Sequence, residues 1–200
     1  MKGMKRTLLA AILSLLALPV AAEPLPLATL SAYLNRLALF ETSFQQQNAD
    51  GTLSTGHIYI HRPGRMRLDY DPPEKSVVIV AGSQVVIFDG KSKDPPEQYP
   101  LGRTPLNLIL APQIDLGAAK MVVGTAEVKG LTHVVAQDPK HPEYGNIELV
   151  FSANPVRLTG WILTDDAGNL TIIRLGDFQT AQSLSETLFS PEIESAKRNR

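Results

Sequence analysis

The chain has 200 residues, 19 Lys and Arg against 20 Asp and Glu, 44% hydrophobic residues and no cysteine. The missing cysteine excludes disulfides, thiolate metal ligands, cysteine nucleophiles and the lipidated cysteine that tethers an exported lipoprotein. The charge balance excludes a general binder of nucleic acid or anionic membrane.

At the amino terminus Lys2, Lys5 and Arg6 precede an apolar run from Leu8 to Val20, with small residues at Val20 and Ala22. These are the three parts of a secretory signal peptide spanning residues 1–22. The run is shorter than the roughly 20 apolar residues a membrane-spanning helix needs, and Glu23-Pro24 follows at once. Cleavage after Ala22 and release into a Gram-negative-type periplasm are therefore expected. Removal of three of the 19 basic residues leaves 16 against 20 acidic ones, a net charge of −4. Residues 23–194 then suffice for one domain with a substantial core, and no repeat or Ser/Gly-rich linker divides them. The tail 195–200 is charged, lacks apolar anchors and is expected to be disordered.

From Leu27, the apolar residues Leu30, Leu34 and Leu37 recur at helical spacing with Asn35 and Arg36 on the other side. This predicts an amphipathic helix ending near Phe40. The period then changes to two. Strands are expected over Glu41 to Asn48, Leu53 to His61, Arg65 to Asp71, Ser76 to Ala81 and Gln84 to Asp89, joined as a meander by turn chemistry at Asp50-Gly51, Pro63-Gly64, Asp71-Pro72-Pro73 and Gly82-Ser83. A break runs from Asp94 to Pro112, where Pro95, Pro96 and Pro100 interrupt the alternation. Inside it, Thr104 to Leu110 reads as a short helix with Thr104 as N-cap and Pro105 at the first helical position. Strands resume over Met121 to Val128, Thr132 to Gln137, Asn146 to Phe151, Val156 to Leu163 and Leu170 to Leu175. The fold class is mainly β (α+β), with about ten antiparallel strands and two helices.

Ile58, Ile60 and Arg62 share one strand face, and on the next strand Met66, Leu68 and Tyr70 alternate with Arg65, Arg67 and Asp69. One sheet face is thus apolar with a single guanidinium in it. Such a face fits an ordinary core as well as a hollow. Two features favour a hollow: the chain has few aromatics (6 Phe, 5 Tyr, 1 Trp), and Met66, Leu68, Val78 and Leu106 are flexible or medium-sized.

Three stretches carry a family resemblance: Leu30-Ser31-Ala32-Tyr33-Leu34-Asn35, then Phe44-Gln45-Gln46 and Gly56, and above all Arg62-Pro63-Gly64-Arg65-Met66-Arg67-Leu68-Asp69-Tyr70. The sequence resembles the LolA family, periplasmic carriers of outer-membrane lipoproteins. Val77 to Asp89 is similar to the family's next hairpin, Thr104 to Leu110 to its lid helix and Leu188-Phe189-Ser190-Pro191 to its closing segment, whereas 117–138 matches in pattern only. The resemblance implies an incomplete antiparallel β-barrel of ten to eleven strands with a helical lid over an apolar cavity, no catalysis and no cofactor. It implies that Arg62 is a latch holding the lid. The cavity and lid residues expected from face and resemblance together are Leu30, Leu34, Ile58, Ile60, Met66, Leu68, Tyr70, Val78, Leu106, Ile109 and Leu110. The implied partners are lipoprotein acyl chains, an inner-membrane lipoprotein-releasing ABC transporter, and an outer-membrane lipoprotein acceptor or the outer membrane itself, met by a monomer. A related lipid- or lipoprotein-sensing module and a combined carrier and acceptor stand as alternatives.

Other chemistry finds little support. His57 and His61 lie on one strand face about 13 Å apart, too far to share a metal. His133 and His141 would need Asp138 or Glu143 as further ligands, and no metal site is expected. Gly90-Lys91-Ser92 lacks the earlier glycine of a phosphate loop, and no Gly-x-Ser-x-Gly elbow occurs.

Overall fold

A computed structural model describes residues 23–118, 120–179 and 183–199; the expected signal peptide, residues 1–22, lies outside the described residues. Helix α1 (Leu27–Arg36) is followed by strands β1 (Leu39–Gln47), β2 (Leu53–His61), β3 (Arg65–Tyr70), β4 (Val77–Ala81), β5 (Gln84–Phe88) and β6 (Glu97–Pro100). After the short helix α2 (Leu106–Ile109) come β7 (Val122–Val128), β8 (Leu131–Ala136), β9 (Asn146–Ala153), β10 (Val156–Thr164) and β11 (Leu170–Leu175), and helix α3 (Pro191–Arg198) closes the chain.

The strands form one 11-stranded sheet in the order β6-β5-β4-β3-β2-β1-β11-β10-β9-β8-β7. Short turns make each half a meander, and β1 joins the halves by pairing antiparallel with β11, Phe44 opposite Leu175. β6 and β7 remain edges, so the barrel is incomplete. Inner-face residues of both halves, among them Phe44, Ile60, Met66 and Val85 on one side and Val134, Ile147, Phe151 and Trp161 on the other, belong to one buried cluster with Leu30 and Leu34 of α1. Only a curled sheet brings them together.

Several boundaries differ from those the sequence predicts. Helix α1 stops at Arg36 rather than near Phe40, because Phe40 already pairs with Ile60 in the β1–β2 ladder. Strand β6 lies within the expected break. Its Pro100 is tolerated because β6 is an edge strand, where a missing N–H costs no ladder bond. Thr104 does not cap α2: its hydroxyl turns back to the Leu101 carbonyl at 2.9 Å, and Pro105 occupies the N-cap.

The tail expected to be disordered begins inside α3. The Ser190 hydroxyl accepts the Ile193 N–H at 3.2 Å as N-cap, and Arg198 reaches Glu194 at 3.0 Å one turn back. This closing segment lies on the outer face of the sheet. There Arg67, on the opposite face from Met66 and Leu68, is buried rather than exposed, bonding Asp69 at 2.7 Å, the Leu188 carbonyl at 3.0 Å and Glu194 at 3.0 Å. Beside it, Val77, Ile79, Val86 and Phe88 form a second, smaller apolar cluster.

Gly56 packs where β2 and β3 cross the Phe44 ring. A Cβ there would sit 2.1 Å from the Asp69 carbonyl oxygen and 2.7 Å from that ring. Gly56→Ala should therefore cost about 1–3 kcal/mol through overpacking, read as a lower urea midpoint with an unchanged slope.

Candidate functional site

Helix α1 lies over the concave side of the sheet with its apolar stripe inward. Tyr33 packs edge-on against Phe151 with ring centroids 6.3 Å apart, and its hydroxyl accepts the Leu158 N–H at 3.1 Å. Asn35 and Ser31, four residues apart and therefore neighbours on the helix surface, staple α1 to the segment after α2. The Asn35 amide donates to the Ile114 carbonyl at 2.7 Å and accepts the Ile114 N–H at 2.9 Å, while the Ser31 hydroxyl accepts the Leu116 N–H at 2.9 Å. Asn35 is thus a contact between α1 and the segment after α2 rather than part of a solvent face.

Arg62 follows β2 directly. Its guanidinium is buried, and its Nη2 donates to the Leu34 carbonyl in α1 at 2.9 Å. Nε and Nη1 have no acceptor among the described residues. Burial without a carboxylate partner lowers the Arg62 pKa from its ordinary value. The backbone N–H of Gly64 donates to the Leu110 carbonyl just past α2, at 2.9 Å. The Arg62-Pro63-Gly64 turn therefore grips both helices, α1 by a side chain and α2 by the main chain.

All eleven residues expected to line the cavity or lid belong to the one buried cluster: Leu30, Leu34, Ile58, Ile60, Met66, Leu68, Ile109 and Leu110 fully, Tyr70, Val78 and Leu106 partly. Leu34, Ile60 and Ile109 border a small hollow of about 20 Å³ together with Arg62, Phe40 and Trp161. Leu106 borders a larger, open cavity of about 520 Å³ at the mouth between β6 and the β10–β11 turn, with Tyr99, Arg103, Tyr144, Leu163 and Thr171. Its size falls within the ~300–1,000 Å³ of small-molecule sites. The remaining residues pack without bordering either space. Tyr70 donates to Gln46 at 2.7 Å, and burial pushes its phenol up to about 12.

Neither Trp161 nor Phe40 is marked as an inner residue by the pattern of its own segment. Strict alternation separates Leu158 from Trp161, three positions on. A register shift between Leu158 and Gly160 puts both on the inner face. Phe40 was assigned to a helix end. The i, i+4 pair Ser31 and Asn35 beside the leucine stripe was the available signal for the staple. His57 and His61 face separate carboxylates, Glu41 and Glu186, each at 3.6 Å.

An open antiparallel sheet curled round an apolar interior, with two helices tied over one mouth by an arginine turn, defines the class of helix-capped, incomplete β-barrels. The family model described as outer membrane lipoprotein carrier protein LolA matches residues 35–192, and the chain belongs to the LolA family. The outer-membrane lipoprotein carrier protein of Methylococcus capsulatus is 25% identical over 176 residues, covering 84% of each chain. That of Nitrosomonas europaea is 25% identical over 199 residues, covering 93% of this chain and 94% of its own. A crystal structure of a LolA superfamily protein from Nitrosomonas europaea covers 84% of this chain and 99% of its own, with 10% identity and a TM-score of 0.45.

Proposed function

We propose that this protein is a soluble periplasmic carrier. It takes up the acyl chains of lipoproteins released by an inner-membrane ABC transporter and delivers them to an outer-membrane acceptor or to the outer membrane itself. It moves cargo without catalysis or cofactor. The observation that carries this reading is the buried Arg62 guanidinium, hydrogen-bonded to α1 beside the apolar side chains of the inner face.

Burial of a 16-carbon chain is worth on the order of 12 kcal/mol, so a lipoprotein does not cross an aqueous space unshielded. A carrier must match much of that gain and still let go. Loading separates α1 from Arg62 and spreads the closed interior; release restores the Arg62–Leu34 bond. The recovered bond lowers the cost of giving up cargo.

The test is mass spectrometry of protein isolated from periplasm under mild conditions. Co-purifying acylated protein is the expected result. Phospholipid or fatty acid alone would replace the lipoprotein carrier with a lipid shuttle, and protein free of any lipid that also fails to take up a synthetic lipopeptide would sink the reading.

A further inference from the structure

Arg62 Nε, Arg62 Nη1 and Trp161 Nε1 are buried N–H donors without an acceptor among the described residues. Arg62 is 9% exposed and Trp161 1%. Both residues border the same hollow of about 20 Å³, whose other walls are leucine, isoleucine and phenylalanine. Buried donors without acceptors are rare and costly. The two side chains that carry them border one small space with no acceptor side chain among its described walls.

The chemistry of the missing partner follows from what the walls lack. A water molecule could accept two of these bonds, but its own two O–H groups would need acceptors in turn. The Leu34 carbonyl already receives the Leu37 N–H at 3.1 Å and Arg62 Nη2 at 2.9 Å. A carboxylate or ester carbonyl oxygen only accepts. It suits two side chains that here can only donate, and a positive charge favours it further. The apolar walls require that the oxygen be attached to hydrocarbon.

We propose that Arg62 and Trp161 form a head site that receives the carboxylate or ester oxygen of an acyl chain. The inference rests on the carrier reading, because the hollow has room for the carbonyl group but not for its chain, which occupies the space opened when α1 lifts. One guanidinium then has two tasks: Nη2 holds α1 in the closed form, and Nε and Nη1 are left for the ligand.

Trp161 is the single tryptophan of the chain, so uniformly ¹⁵N-labelled mature protein gives one indole N–H resonance. Three probes are titrated: hexadecane, palmitate and a dipalmitoylglyceryl-cysteine lipopeptide. Palmitate, the lipopeptide or both should move the indole resonance downfield as a new hydrogen bond forms, while hexadecane moves it much less. A shift with palmitate alone assigns the site to free acids, and one with the lipopeptide alone to ester carbonyls. Trp161→Phe, which keeps a six-membered aromatic ring and removes the N–H, should bind the responding lipid about tenfold more weakly, the loss of one hydrogen bond to a charged or strongly polar acceptor, and should lose much less affinity for hexadecane. Trp161 is varied because Arg62 also serves the latch. If the variant does not fold, the wild-type resonance alone decides. The head site is overturned if palmitate and lipopeptide bind without moving the resonance, if hexadecane moves it equally, or if a folded Trp161→Phe binds all three as wild type does. Failure of all three probes to bind would instead overturn the carrier reading, and the head site with it.

Discussion

Arg62→Leu is expected to raise the thermal midpoint by roughly 2–4 °C while slowing the release of hexadecane, a cargo without oxygens, by about tenfold. Stability should rise because the guanidinium is buried with one hydrogen bond and no carboxylate partner among the described residues. Desolvating a charge costs several kcal/mol, more than the roughly 1.5–3 kcal/mol a single charged hydrogen bond returns, so a net gain of about 1 kcal/mol is expected. Leucine fits among Leu34, Ile60 and Ile109. The Leu34 carbonyl is not orphaned, since the Leu37 N–H still reaches it at 3.1 Å.

On the proposed carrier reading, release should slow because in the wild type it restores the Arg62–Leu34 bond, and the variant has no such bond to restore. A difference of about 1.4 kcal/mol is a tenfold change in equilibrium. Hexadecane has no oxygen, so its release isolates the latch from any contact with ligand oxygens. Wild-type release rates in the variant would rule the latch out.

Glu194→Ala should lower the midpoint by roughly 6–12 °C at neutral pH. Glu194 lies buried between Arg67 and Arg198, each at 3.0 Å. Removing one partner of a buried pair leaves a charge uncompensated and costs about 3–5 kcal/mol. The cost should fall near the lower end, because Arg67 keeps Asp69 and the Leu188 carbonyl. Arg198 similarly keeps the carbonyls of Asp89 and Lys75 and its place over the Phe88 ring.

The effect should depend on pH with a definite sign. Burial by itself would raise the Glu194 pKa, but hydrogen bonds from Arg67 and then Arg198 outweigh it, and the carboxyl titrates below its ordinary value. A lowered folded-state pKa contributes stability that is fully present above the unfolded value and is lost as the pH falls through the folded one. The gap between wild type and Glu194→Ala should thus be full at neutral pH and shrink as acid protonates Glu194. A gap constant down to that range would mean that packing of α3, and not the ion network, holds the closing segment.

How much was legible beforehand follows from which interactions are local. The β2 and β3 faces could be read because alternation and the Pro63-Gly64 turn lie within a few residues of one another. Trp161 could not, since the register shift in β10 breaks the period of two and leaves no mark in residue type. Alternation with Met66 and Leu68 puts Arg67 on the outer face and says nothing of what covers it. It is buried because α3, more than a hundred positions away, returns to cover it. Few aromatics pointed to a hollow, yet Phe40, Phe44, Phe151 and Trp161 all turn inward, and the space beside Arg62 shrinks to a remnant.

By itself the sequence determined an antiparallel meander, an inward apolar face and an arginine on that face, because periodicity, turn chemistry and side-chain direction are properties of short segments. The assembled fold is what brings Arg62 to a helix carbonyl and, among the described residues, to no carboxylate, sets Trp161 beside the same hollow, and joins β1 to β11 while β6 and β7 stay apart. Those outcomes depend on the curl of the whole sheet and on pairings between distant segments, which no local pattern encodes.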